Sequence, residues 1–245
     1  MSSPIDWADW GAVLFDLDGV LTPTQEIHER AWAELFAPWG FTQTDYLAYV
    51  DGRPRYDGVR TFLAARGVDL PWGDPHDPPG SNTVCALGNR KNETFNEILA
   101  RDGIAPYPGS LAVLAVLDAA GVPSAVVSSS RNAGPVLAAG GLAERFGVVV
   151  DGVTALEAHL AGKPDPAMFA HAAHLLGVPA DRCVVVEDAV SGVQAGAAGG
   201  FGFVLGVDRA TPPASNAAAL TAVGADAVVV DLADTLARPT QEPAR

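Results

Sequence analysis

Six short apolar runs rich in β-branched residues punctuate the chain: Ala12–Leu17, Ser124–Ser128, Gly147–Val150, Cys183–Glu187, Phe203–Val207 and Ala227–Asp231. Several are apolar at every position. A strand with one wet face alternates, so unbroken apolar runs belong to strands buried on both faces. Most of the runs are separated by segments of helical character. Leu111–Ala120 stops at Gly121 and Pro166–Leu176 stops at Gly177, each glycine placed as a helix C-cap, while Ser191–Gly199 is small and alanine-rich. Strands that alternate with helices fold into a parallel sheet with helices on both faces, which makes the fold class α/β.

The stretch after the first run breaks this rhythm, with no convincing strand until the second run. Gln25–Phe36 is amphipathic, with Ile27, Ala31 and Leu35 near helical spacing. Thr44–Val50, Asp57–Ala65 and Asn89–Leu99 also read as helices, and Pro71–Ser81, crowded with proline and glycine, reads as a loop. A helical block inserted after the first strand of such a sheet reads as a cap over an active site. The expected division is a core of residues 11–23 and 107–235, a cap of residues 24–106, and a disordered tail over residues 236–245.

A chain of 245 residues, 49% hydrophobic, buries a full core without staples. Its formal net charge of −14 argues against non-specific nucleic-acid binding, which needs a cationic surface, but leaves room for a local basic pocket. Cys85 and Cys183 are too few for a disulfide scaffold. The N-terminal stretch carries Asp6 and Asp9 and no basic region, so it is not a signal peptide. The apolar stretch Leu111–Val127 is interrupted by Asp118, Gly121 and Pro123, too soon to span a membrane. A cytoplasmic, monomeric protein without nucleic-acid or membrane partners is expected.

Four segments carry candidate chemistry. Phe15-Asp16-Leu17-Asp18-Gly19-Val20-Leu21-Thr22 ends an apolar run with two aspartates. On a strand, positions i and i+2 face the same side, where like charges repel unless a cation such as Mg²⁺ lies between them. The alternative is a strand end with a solvated turn. Ser128-Ser129-Ser130-Arg131-Asn132 follows the second run, and its hydroxyls and backbone N–H groups suit a phosphate, although serine is also a common N-cap. Gly162-Lys163-Pro164-Asp165 alone reads as a turn with a lysine. Glu187-Asp188 closes the fourth run and suggests metal, with a strand-end cap as the alternative. In a parallel sheet all strand C-termini lie along one edge, so Asp16, Asp18, Ser128 and Asp188 should converge there.

That constellation, in that order, resembles the haloacid dehalogenase superfamily over nearly the whole chain. The resemblance implies a Rossmann-like parallel-sheet core with an inserted α-helical cap, and an Mg²⁺-dependent phosphotransferase. It implies Asp16 as the nucleophile forming an aspartyl phosphate and Asp18 as general acid/base. Ser128 and Lys163 would hold the transferring phosphoryl group. Asp16, the Asp18 carbonyl and Asp188 would ligate the metal, with Glu187 acting nearby through water. A carboxylate nucleophile splits the transfer into two easier steps, and a cation with a lysine neutralises charge spreading over the phosphoryl oxygens.

Within the superfamily the chain is most similar to the β-phosphoglucomutases. Thr24 and His28 match their T-x-x-x-H, Gly52 and Arg55 match the G-x-x-R of the cap, and Ser130-Arg131-Asn132 matches S-K-N with arginine for lysine. Ser129 joins the same binding segment. Similar mutases place their lysine just before a cis proline, which implies a cis Lys163–Pro164 bond. Asp51 departs from the pattern, standing where those mutases carry a lysine, with Arg53 nearby to restore the charge. The resemblance implies interconversion of β-glucose 1-phosphate and glucose 6-phosphate through a bisphosphate. The alternatives are a phosphatase of small sugar phosphates or phosphoglycolate-like acids and, more remotely, a non-catalytic receiver-like module.

Overall fold

All six apolar runs contain strands in the computed structural model, which describes residues 5–50, 53, 55–209 and 215–236. In chain order the elements are β1 (Ala12–Phe15), α1 (Thr24–Phe36), α2 (Gln43–Asp45), α3 (Arg55–Ala65), α4 (Val84–Asp102), α5 (Pro108–Ala120), β2 (Ser124–Val127), α6 (Ala133–Ala139), β3 (Val149–Val150), α7 (Gly152–Glu157), α8 (Ala167–Leu176), β4 (Cys183–Glu187), α9 (Val190–Ala198), β5 (Phe203–Val207), α10 (Ala217–Ala222) and β6 (Ala227–Val229). The chain divides into two compact units, Met1–Pro23 with Ile104–Arg245, and Thr24–Gly103.

The first unit is built on one six-stranded sheet in the order β3-β2-β1-β4-β5-β6, with every pairing parallel. Every residue of β1, β2 and β4 is buried, which is why those runs carry no polar alternation. Phe15 is in register with Val126 of β2 on one side and Val186 of β4 on the other, so the ends of these three strands lie side by side. The strand order reverses between β1 and β4, and such a reversal opens a crevice at the strand C-termini.

β1 is shorter than its apolar run. The Leu17 carbonyl accepts from the N–H groups of Leu21 and Thr22, so residue 17 is turned back into a tight loop and cannot extend the ladder. Asp16 and Asp18 therefore do not project from one face of a strand, and their approach comes from the loop. The second, third and sixth runs likewise overrun β2, β3 and β6. Three short helices, α6, α7 and α10, had no periodic signal, being too brief and alanine- or glycine-rich to register one.

The second unit is helical. α1 packs on α4, and α3 on α4, around an aromatic core in which the Phe36 and Phe62 rings lie 4.1 Å apart and the Trp32 and Phe36 rings stack at 5.3 Å. Residues expected as a helix over Thr44–Val50 form one α-turn followed by a π-type turn, Tyr46–Val50. The start is fixed by a capping box in which Thr42 accepts from the Asp45 N–H while the Asp45 carboxylate accepts from the Thr42 N–H. α4 begins earlier than its apolar pattern, because Thr83 caps it by accepting from the Ala86 N–H at 3.0 Å. No helix of the described residues is long and apolar enough to cross a membrane. The expected tail lies outside the described residues, apart from Leu236.

Candidate active site

Asp16 directly follows β1. Its N–H still donates to the Val186 carbonyl (2.9 Å), which pins its backbone to β4, and its side chain is buried. Lys163 reaches the same point from the loop before α8, and its bond to Pro164 is cis, as the resemblance implies. Its Nζ donates to Asp16 Oδ1 (2.5 Å), to Glu187 Oε1 (2.6 Å) and to the Val127 carbonyl (2.8 Å). An ammonium has three hydrogens, so this lysine is fully committed, and it ties together the ends of β1, β2 and β4.

Glu187, the last residue of β4, also accepts from the Ala189 N–H through Oε2 (3.0 Å), so both its oxygens are engaged. Asp188 lies against the turn after Asp18. Gly19 has φ +83°, and a Cβ there would run into the Asp188 carboxylate, so the turn requires glycine on both counts. A Cβ at Gly192 would collide in the same way with the Glu187 carboxylate.

The carboxylates of Asp16, Glu187 and Asp188 offer oxygen atoms that all lie within 4.8 Å of one another. Burial, and then the Glu187, Asp188 and Asp18 charges, push the Asp16 carboxyl well up despite the lysine beside it. Burial, and then Glu187 and Asp18, push Asp188 up to about 8. Burial pulls Lys163 down, but Asp16 and Glu187 outweigh it and hold the ammonium charged. Buried carboxyls crowded by other carboxylates are under-neutralised, and a set of hard oxygen donors of this kind suits a divalent cation.

Ser128 follows β2 and is buried. Its hydroxyl donates to Asp18 Oδ2 at 3.4 Å, a long bond, and accepts from the Ser130 N–H at 3.1 Å. Ser130 in turn accepts from the Asn132 N–H (3.1 Å). Asn132 is buried, whereas Ser129 and Arg131 are exposed. Asp16, Lys163, Glu187 and Asp188 are thus brought together, with Ser128 and Asp18 touching each other beside them.

In the second unit, Thr24 opens α1 and is buried, and His28 follows one turn later. Gly52 and Asp51 lie outside the described residues. Arg55 starts α3 and donates to Asn92 Oδ1 (2.9 Å). Next to Asn92 on α4, Lys91 is buried, with its Nζ 2.5 Å from His28 Nδ1 and over the Trp32 and Phe95 rings. The His28 ring stacks on Phe95 at 4.4 Å. Burial, and then Lys91 and Arg55, push His28 well below its ordinary range. With lysine as the donor, the imidazole is neutral and carries its proton on Nε2. Lys91 and Asn92 escaped the sequence reading; the only signal was a lysine on the face of the helix that also carries Phe95.

Residues 10–200 match the model of the haloacid dehalogenase-like hydrolases. The chain belongs to that family. It is 48% identical over 240 residues to the β-phosphoglucomutase of Mycobacterium bovis, a match that covers 92% of this chain and 91% of that protein. It is 33% identical to hexitol phosphatase A of Escherichia coli, over 76% of this chain and 78% of the relative. Among solved structures, a haloacid dehalogenase family hydrolase from Deinococcus radiodurans, with bound phosphate and sodium, superimposes with a TM-score of 0.69 at 32% identity, covering 93% of each chain. Membership of this family sets aside the receiver-like reading.

Proposed function

We propose that the chain is a β-phosphoglucomutase that converts β-glucose 1-phosphate to glucose 6-phosphate through a bisphosphate and an aspartyl phosphate at Asp16. The observation that carries the mutase reading is 48% identity to a β-phosphoglucomutase over 92% of the chain. In this reading residues 24–106 form the helical cap domain.

The Asp16 carboxylate attacks the phosphorus, the Asp16 oxygen–phosphorus bond forms, and the bond to the sugar oxygen breaks. That leaving oxygen takes a proton from Asp18. In the return step Asp18 removes the proton of the incoming hydroxyl as the phosphoryl group leaves Asp16. Lys163, held by Asp16 and Glu187, keeps a positive charge at the place where the phosphoryl oxygens gather negative charge. Asp16, Asp188 and the Asp18 carbonyl would hold Mg²⁺, with Glu187, both of whose oxygens are engaged, acting through water. The cation would neutralise phosphoryl charge and offset the crowding of the carboxylates.

A mutase must grip two phosphates in turn. Ser128 with Ser129, Ser130, Arg131 and Asn132, and Thr24, His28, Gly52 and Arg55 on the cap, are the residues assigned to bind the sugar phosphate. A second reading, a sugar-phosphate phosphatase, draws support from the likeness to hexitol phosphatase A and from Asp51 in place of the mutases' lysine. The two separate in an assay of β-glucose 1-phosphate with and without a trace of its 1,6-bisphosphate. A mutase is activated by the trace and forms glucose 6-phosphate. Release of inorganic phosphate, indifferent to the primer, would establish the phosphatase instead.

A further inference from the structure

Arg209, two residues beyond β5, reaches into the turn that carries Asp18. Its Nε donates to the Gly19 carbonyl (2.7 Å) and its Nη2 to the Val20 carbonyl (3.1 Å). Nη1 pairs with Asp231 Oδ2 (2.7 Å), Nη2 also lies 3.4 Å from Ser110 Oγ, and the guanidinium carbon stands 3.4 Å from the centre of the Tyr107 ring. The Ser110 hydroxyl donates to the same Val20 carbonyl at 2.7 Å. Within the turn, the Leu17 and Thr22 carbonyls are used internally, accepting from Leu21, Thr22 and Gly19. The Gly19 and Val20 carbonyls are taken up from outside the turn, by Arg209 and Ser110.

A guanidinium is planar and its donors sit in a fixed fork. With one edge on two successive carbonyls, one nitrogen on a carboxylate and its face on an aromatic ring, it cannot rotate without giving up a partner. We infer that Arg209 is a positioning residue that fixes the Gly19–Val20 peptide, and through it the place of Asp18. It touches no reacting atom. This inference rests on the proposed role of Asp18 as general acid/base.

The test separates reactions that need a proton donor from those that do not. For wild type, Arg209→Gln, Arg209→Lys and Asp18→Asn, one measures kcat and KM on the sugar phosphate turned over best. One also measures the single-turnover burst of p-nitrophenolate from p-nitrophenyl phosphate, whose leaving group needs no proton. A misplaced acid should lower kcat on the sugar phosphate about 10²-fold, with little change in KM, and leave the burst within a few-fold of wild type. Arg209→Lys keeps the charge without the fork and should fall in between; it also answers the question should Arg209→Gln not fold. The ratio of the two rates does not depend on how much protein is folded. If Asp18→Asn splits the two reactions and the Arg209 variants lower both alike, or neither, the inference fails while the reading of Asp18 stands. If Asp18→Asn does not split them, the reading of Asp18 fails and takes the inference with it.

Discussion

The two units hold their buried charges in opposite senses. At the sheet edge, carboxyl groups crowd around one ammonium, and the carboxyls of Asp16 and Asp188 are pushed up, by burial first and then by Glu187 and the other carboxylates beside them. In the helical unit, the imidazole of His28 is pushed down, by burial first and then by Lys91 and Arg55. Burial raises an acid and lowers a base whatever surrounds it, but the charges that add to it differ in sign: carboxylates at the sheet edge, Lys91 and Arg55 around His28. The first centre is suited to take up a cation. The second is suited to take up an anion. A bisphosphate intermediate needs both kinds of centre, because one phosphate reacts while the other is only held.

The sharpest test of the acidic centre is Asp16→Asn. The amide oxygen still accepts from Lys163, so the packing of β1, β2 and β4 is kept, but the nucleophile is lost. Turnover should fall by more than about 10⁴-fold with the thermal midpoint little changed. A variant with residual activity near wild type would remove Asp16 from the chemistry and leave the acid surplus without a purpose.

The cationic centre breaks differently. Arg55→Ala removes a guanidinium that can grip a phosphate through two parallel hydrogen bonds. Mutase turnover should drop by about 10²-fold or more. Hydrolysis of acetyl phosphate, which has no distal phosphate to hold, should fall far less. Equal losses on both substrates would mean that the Arg55–Asn92 bond serves the packing of α3 on α4 and not an anion.

The acid surplus also sets how the metal should depend on pH. With Asp188 pushed up to about 8, that carboxyl is largely protonated at neutral pH before a cation arrives. Mg²⁺ binding should then release a proton. Apparent affinity should rise with pH between 6 and 8, by up to about tenfold per unit. Calorimetry in two buffers of different ionisation heat reads the released proton directly. A binding heat independent of the buffer would contradict the charge pattern described for the sheet edge.

How far the two centres could be read in the sequence follows from how each is built. Asp16, Ser128, Glu187 and Asp188 each directly follow or end an unbroken apolar run, so the rule that strand ends share one edge places them without any knowledge of packing. A different rule, strand alternation, misjudged Asp16 and Asp18, because it carried β1 past Phe15, where the Leu17 carbonyl closes a turn. Lys163 sits in a segment that alone reads as a turn, and only the resemblance singled it out. Lys91 was invisible for a different reason. A lysine in an amphipathic helix normally faces water, and this one is buried because α1 packs on α4 and brings His28 and Trp32 against it, beside Phe95 of its own helix. Arg209 was missed likewise, since its partners Gly19, Tyr107 and Asp231 are far apart in the chain.

The smallest expected effect is on stability, and it tests whether the helical unit keeps His28 neutral. His28 is held neutral in the folded protein, with its pKa pushed well below the ordinary value, whereas in the unfolded chain it titrates near 6.5. Above that value both states are neutral and the group is indifferent to pH. Below it the unfolded chain binds a proton that the folded protein refuses, so folding stability must fall as the solution is acidified. The slope approaches about 1.4 kcal/mol per pH unit once the unfolded histidine is fully charged, until the folded pKa is reached. Asparagine at this position can still accept from Lys91 but does not titrate. Thermal midpoints measured from pH 8 to pH 5 should therefore converge for wild type and His28→Asn, with the wild type losing more. Parallel curves would mean that the imidazole takes up its proton in the folded state, and the neutral His28 expected from its burial and its cationic neighbours would have to be abandoned.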